Sequence, residues 1–216
     1  MKILKLDDLD STNFVYSEPK INAMGGQSVY IGANSENDKI VIQTPKCALP
    51  FGLNSFQPNN GDVKYSLDFS LRGNHAIMQN FTGFLQKFDD RNTEVAVEKS
   101  KEWFKKQLDQ SVIDEIYRNT LKTQKNYAPI IKVKVPTKQG KFLGDIFDQN
   151  KNKVDLESIQ KGSTVQAIIE CVGMYFIAKE FGITWKVVQL KVYPPNKLNG
   201  YSFVDDNSEE EVEPVN

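Results

Sequence analysis

The most regular pattern in the chain lies at residues 63–71. There Val63, Tyr65, Leu67, Phe69 and Leu71 alternate with Lys64, Ser66, Asp68 and Ser70. Apolar residues at every second position predict an extended strand with one face on a core and the other in water. Short β-branched runs bounded by Gly, Asn and Asp predict earlier strands at Val29-Tyr30-Ile31 and Ile40-Val41-Ile42. Residues 44–60 hold Pro45, Pro50, Gly52, Pro58 and Asn59-Asn60, the composition of a loop. Between about 74 and 118 the period changes. Ile77, Phe81, Phe84, Leu85 and Phe88 fall at helical spacing, and Val95, Val97, Trp103, Phe104, Leu108, Val112, Ile113 and Ile116 continue an irregular helical face. Two or three helices are expected, the last capped by Asp109 or Ser111.

From residue 128 the strand pattern returns. Residues 130–135 form a strand stopped by Pro136, and a turn at Lys138-Gln139-Gly140 leads to a second run at 142–147. After a polar turn at 148–153 comes a long strand at 164–172. Gly173 is read as a sharp turn or bulge from which 174–178 pairs back. Gly182 punctuates again, and the last strand, 183–193, ends at Pro194-Pro195. Several strands bent at glycines around a helical insertion predict a mainly β, OB-fold-like barrel, closed or partly closed, with a sandwich as the competing architecture. The expected organisation is one domain over 1–204, with the insert at about 74–118, followed by a flexible acidic tail at 205–216.

Charge sharpens this picture. The formal net charge is −1, but the charges are segregated. Residues 118–204 carry 14 Lys/Arg against 6 Asp/Glu, residues 1–117 carry 13 against 16, and residues 205–216 carry six acids and no base. A basic body followed by an acidic tail points to an anionic partner for the body. The two cysteines, Cys47 and Cys171, sit among apolar or turn residues and read as buried free thiols. With His75 the single histidine, a zinc site is not expected. No apolar run is long enough to cross a bilayer, and the opening MKILKLDDLD has too short an apolar stretch for a signal peptide, so an intracellular protein is expected.

Candidate catalytic motifs are weak. Lys161-Gly162-Ser163-Thr164 lacks the order of a phosphate loop and leads into a strand, so a turn is preferred. Gly25-Gly26 belongs to no dinucleotide fingerprint. Asp145 and Asp148 read as hairpin-turn residues, and His75 stands where a helix starts. A non-enzymatic protein without cofactor is expected. What remains is cations and rings on strands. Lys132 and Lys134 share one strand face. Lys138 and Lys141 flank a turn beside Phe142. Tyr175 and Phe176 are adjacent, so one must point away from the core. Lys186 follows Trp185, Lys191 precedes Val192-Tyr193, and Lys64 and Arg72 bracket the amphipathic strand. Single-stranded nucleic acid requires this combination, because cations track phosphates and flat side chains stack on bases, each stack being worth about 1–3 kcal/mol. The alternative reading is solvated lysines and core aromatics. The tail acids Asp205, Asp206, Glu209, Glu210, Glu211 and Glu213 can compete with phosphate for the same groove, or simply keep the chain soluble.

The stretches IIKVKVPTKQGKF (130–142), KGSTVQAIIECVGMYF (161–176), FGITWKVVQLKVYPP (181–195) and YSFVDD (201–206) resemble the single-stranded DNA-binding proteins of giant nucleocytoplasmic large DNA viruses. Those are similar in turn to the OB-fold single-strand-binding proteins of short-tailed bacteriophages. The resemblance covers residues from about 128 onward most fully, and its most distinctive motif is Gly182-Ile183-Thr184-Trp185-Lys186 with Gln189. It implies an OB barrel coating single-stranded DNA, without sequence preference, in viral DNA replication, recombination or repair. Trp185 and Lys186 carry over as DNA contacts. It also implies a tail that contacts replication partners such as a viral polymerase or helicase. The phage relatives end in an aromatic residue, whereas this chain ends Pro214-Val215-Asn216. Self-association as a homodimer stays open, no membrane partner is expected, and the expected location is the host cytoplasm at a viral factory, or the nucleus. Two other functions are consistent with the residues: a protein-interaction or assembly module that binds no nucleic acid, and an RNA-binding transcription factor.

Overall fold

The alternation at 63–71 is realised as the strand Lys64–Ser70, with Leu67 and Phe69 fully buried on one side and Lys64 and Ser66 turned to the other. The computed structural model describes residues 2–21, 25–59, 61–195 and 200–203. Its two longest strands, Thr164–Ile177 and Glu180–Tyr193, pair antiparallel along their whole length. Glu180–Tyr193 then runs parallel beside Tyr127–Val135, with Val133 opposite Trp185 and Lys134 opposite Lys186. Tyr127–Val135 pairs antiparallel with Lys64–Ser70. Lys64–Ser70 meets Cys47–Ala48 at Ala48, and Cys47–Ala48 pairs back onto Thr164–Ile177. Among the described residues the pairing therefore returns to its starting strand through five members. Gln27–Val29 and Val41–Gln43 add to the free side of Thr164–Ile177, Leu53–Phe56 to Lys64–Ser70, and Leu121–Gln124 to Tyr127–Val135.

The helical period is realised as α1 (Ala76–Glu98), α2 (Ser100–Phe104) and α3 (Gln110–Ile116). His75 caps α1, its Nδ1 accepting the Met78 N–H at 3.3 Å. Asp109, not Ser111, caps α3 by accepting the Val112 N–H at 3.0 Å. Met78, Phe81, Leu85 and Phe88 form the buried stripe of α1. Phe88 packs on Trp185 at 5.5 Å and on Phe14 at 5.3 Å, tying the insert and the N-terminal segment to the strands. Each such side chain removed from water is worth about 1.5–3 kcal/mol. Both cysteines are buried free thiols.

Four expectations are corrected in whole or in part. The stretch 44–60, read as a loop, contains the strands Cys47–Ala48 and Leu53–Phe56, because prolines at their ends do not interrupt pairing between them. Of the two readings of Gly173 the bulge is the one realised, while the turn, and the pairing back of 174–178 from it, is not. Gly173 sits at φ +127 in a bulge of one continuous strand, where a Cβ would lie 2.5 Å from the Val29 carbonyl oxygen, and the reversal occurs at Ala178, φ +51. Gly182 likewise lies inside a strand rather than at its end. The run at 142–147 is split, with Lys141–Phe142 in a hairpin with Thr137–Lys138 and Asp145–Phe147 parallel to Glu180–Tyr193.

Candidate nucleic-acid interface

Three neighbouring strands alternate in phase. Leu67, Ile131, Val133 and Trp185 point inward and are buried, so Ser66, Asp68, Lys132, Lys134, Thr184 and Lys186 share the outward face. On that face a hollow of about 500 Å³ is lined by Arg118, Lys122, Lys132, Lys134, Tyr175 and Thr184, among others. Lys132 lies 3.0 Å from the Asp68 carboxylate, which also accepts the Asn54 amide at 2.9 Å. Lys134 donates to the Thr184 hydroxyl at 3.4 Å, and no carboxylate pairs with it among the described residues. Burial and, second, the neighbouring Lys64 ammonium depress its pKa. A cation held in partial burial beside a like charge is stabilised by any anion that enters. Tyr175 is half-buried against the far wall, its phenol pushed to higher pKa by burial and by the Glu180 carboxylate, and Arg118 is ion-paired with Glu180. Gly182 makes this wall possible, because a Cβ there would stand 2.8 Å from the Arg118 carbonyl oxygen and 3.1 Å from the Tyr175 hydroxyl.

Lys122 also lines an adjoining hollow of about 800 Å³ with Phe51, Arg72, Tyr127 and Ile130. Tyr127 is 74% and Phe51 56% exposed, an availability that core aromatics lack. The two hollows form a trough with cations along its floor and aromatic side chains at both ends. Sequence reasoning missed Arg118, Lys122, Phe51 and Tyr127. The first two belong to the basic C-terminal segment but precede its recognisable strands, and Phe51 lies between Pro50 and Gly52 in residues read as a loop.

Behind the trough wall lies a buried polar network. One oxygen of Asp89 on α1 accepts the Tyr117 hydroxyl at 2.6 Å and the Thr120 hydroxyl at 2.7 Å, and the other accepts the Thr120 backbone N–H at 2.8 Å. Asn92 joins Tyr117 to Tyr16, whose hydroxyl donates to it at 2.8 Å. Burial raises the Asp89 pKa against the opposing effect of these hydrogen bonds. The insert thereby fixes the segment 117–122, which carries Arg118, Thr120 and Lys122 into the trough.

Of the sequence-selected residues, Lys132, Lys134 and Tyr175 meet in this trough, Arg72 joins them through the adjoining hollow, and Lys64 stands beside Lys134. Trp185 does not reach it as a stacking side chain. It is 1% exposed and packed on Phe88, because its strand position faces inward. Phe176 points to the face opposite Tyr175, where it meets Trp103, Phe104 and Phe181. Lys186 shares the outward face but is tied to Glu170 at 3.2 Å, a carboxylate it shares with Lys39. Lys138, Lys141 and Phe142 lie in the separate hairpin, and Lys141 and Phe142 border a hollow that also holds Asp145, Asp155 and Glu157. Lys191 lies toward the other end of the long strand pair. The acidic positions Asp205, Asp206, Glu209, Glu210, Glu211 and Glu213 lie outside the described residues. Among the described residues no cluster of three or more His, Cys, Asp or Glu side chains could hold a metal ion, and no helix is long and apolar enough to cross a membrane.

The fold has a solved counterpart. The chain superposes on gp2.5, a single-stranded DNA binding protein encoded by bacteriophage T7, with a TM-score of 0.53 at 13% identity, covering 78% of this chain and 97% of gp2.5. The single-stranded DNA-binding protein of bacteriophage Enc34, solved in complex with ssDNA, aligns with a TM-score of 0.47 at 11% identity over 85% of this chain and 98% of that one. By sequence the chain belongs to DUF5871, a family of unknown function, whose pattern matches residues 68–205. It is also 30% identical over 167 residues to L291, an uncharacterized protein of Acanthamoeba polyphaga mimivirus. That alignment takes in 74% of this chain, and the chain spans only 27% of the length of this curated relative.

Proposed function

We propose that the chain is a non-enzymatic protein that binds single-stranded DNA without reading its sequence, on an OB-type barrel made by the five-strand circuit. The observation that carries this reading is the trough itself: Lys122, Lys132 and Lys134 on one outward face, with Tyr175 at one end and Tyr127 and Phe51 at the other. Cations spaced along a strand face suit a phosphate chain, and rings at the ends suit unpaired bases of any identity. The fold shared with gp2.5, a phage single-stranded DNA binding protein, and the likeness to a mimivirus protein support a further reading, a role in viral DNA replication, recombination or repair. The acidic residues beyond 204 are the chain's own rival for the same cations, and when displaced would be free for a basic partner such as a polymerase or helicase.

The test is a titration of labelled oligo(dT) followed by anisotropy. Tryptophan emission is a poor reporter because Trp103 and Trp185 are both buried. The expected result is binding that weakens steeply with salt, and that weakens about tenfold or more when Lys134 and Tyr175 are both replaced by Ala, since a phosphate contact and a stack are lost together. Deleting residues 205–216 should tighten binding. Absence of binding at low salt, with the tail present or removed, would rule the function out and leave an assembly module, while equal affinity for RNA of the same sequence would remove the DNA preference.

A further inference from the structure

The paired strands Thr164–Ile177 and Glu180–Tyr193 carry a second basic hollow that the trough does not use. Inward residues Val165, Ala167, Leu190 and Val192 are buried, so Gln166, Gln189 and Lys191 project outward on the same face that bears Tyr175 and Thr184 farther along. Here a hollow of about 370 Å³ is lined by Lys151, Lys191, Phe147 and three amides, Gln43, Gln166 and Gln189, with no acid among the described residues around it. Beside it the Tyr193 ring takes two ammonium groups, Lys46 at 4.3 Å and Lys191 at 5.5 Å from its centroid. Asp148, outside the hollow, accepts the backbone N–H groups of Asn150 and Asn152 at 2.7 and 2.8 Å. Its hydrogen bonds with Asn152, and after them the Lys191 charge, hold its pKa low, though it forms no ion pair with Lys191. Three lysines gathered about one ring, with Asp148 offsetting only part of the Lys191 charge, leave an excess of positive charge that an incoming anion would relieve.

We infer that this hollow is a second contact for the same strand of nucleic acid, with Lys46, Lys151 and Lys191 on phosphates and Phe147 or Tyr193 against a base. This rests on the proposed function and extends it. Tyr175 stands nine positions after Gln166 on one strand with a bulge between them, so the two contacts stand somewhat under about 30 Å apart along it. Between them Glu170 holds Lys39 and Lys186 at 3.0 and 3.2 Å, which quiets the charge midway and makes the two sites distinct rather than one continuous stripe. A short oligonucleotide fills the trough alone, and a long one reaches both.

The experiment compares oligo(dT) of about 4 and about 16 nucleotides, the two ends of the site-size range for this kind of barrel. The protein is the full chain and the variant K46Q/K151Q/K191Q, which removes the three charges while leaving shorter polar side chains in place. The expected result is unchanged affinity for the short oligonucleotide and at least about tenfold loss for the long one, with the salt slope for the long one smaller by about 2, as three phosphate contacts on a single strand require. The corresponding triple Arg variant should restore the long-oligonucleotide affinity. Equal losses at both lengths would mean a general field effect, and no loss at either would mean an idle surface; each overturns the inference while leaving the trough intact. If the unaltered chain binds neither length, the proposed function fails, and this inference with it.

Discussion

The Asp89 carboxylate, carried by α1, accepts the backbone N–H of Thr120 at 2.8 Å and so joins the helical insert to the wall of the trough. Replacing Asp89 by Ala strands that N–H and the Tyr117 hydroxyl in a buried setting. The expected loss is about 2–4 kcal/mol of folding stability, measured by urea unfolding. Asp89→Asn keeps one acceptor for Thr120, and its amide can donate to hydroxyls able to rotate, so it should cost less than half as much. With the wall still in place, its oligo(dT) affinity should stay within about threefold of the parent's, while the Ala variant loses more.

The same group sets a pH dependence. Burial raises the folded-state pKa of Asp89 above its ordinary 3.8, so the native state holds this proton more tightly than the unfolded chain does. The stabilisation from that protonation is complete below about 3.8 and is lost as pH rises through the elevated folded value. Asn cannot titrate. The stability of the parent relative to Asp89→Asn should therefore be highest in acid and fall as pH climbs, as read from denaturant midpoints across a pH series. A difference that grows with pH would show the carboxylate to be favoured in its ionised form.

Gly182→Ala tests the close approach of Arg118 and Tyr175. The new methyl meets a backbone oxygen, which cannot swing away as a side-chain tip can. Overpacking of this kind costs about 1–3 kcal/mol. The expected outcome is a lower melting temperature together with weakened oligonucleotide binding, because both neighbours line the trough.

Cys47 and Cys171 should resist thiol reagents until the chain unfolds. Burial pushes both thiols to about 12, which leaves almost no thiolate at neutral pH. Mass spectrometry after maleimide treatment should find neither labelled in buffer and both labelled in concentrated urea. Rapid labelling of the native chain at either position would contradict its burial.

Much of this architecture can be read from local pattern. The alternation at 63–71 assigns Lys64–Ser70 and its outward face correctly, since period two depends on nothing but the pleat. The spacing Phe81, Leu85, Phe88 likewise places α1. Adjacency was less informative for Tyr175 and Phe176, because two neighbours on a strand must diverge but nothing local says which one turns outward. The phase is set by Met174, which is buried, and by the bulge at Gly173. Trp185 misled for a different reason: a large aromatic beside a lysine looks like a stacking group, yet Phe88 from a helix more than ninety residues earlier claims it. Phe51, Arg72 and Tyr127 come together only through pairings distant in sequence, which no local window contains.

Thr164–Ile177 binds its long hairpin partner along one edge, and along the other it receives Gln27–Val29, Val41–Gln43 and Cys47–Ala48 in succession. All three of those short segments precede residue 68, where the family pattern begins. A fragment cut to the family limits would bare a row of unsatisfied amides and carbonyls on its longest strand, the kind of surface that recruits a second chain. Residues 27–48 are thus what lets this strand stand alone in water, and closure of the fold must wait for contacts more than a hundred residues apart, which makes slow assembly the natural kinetic signature of this chain.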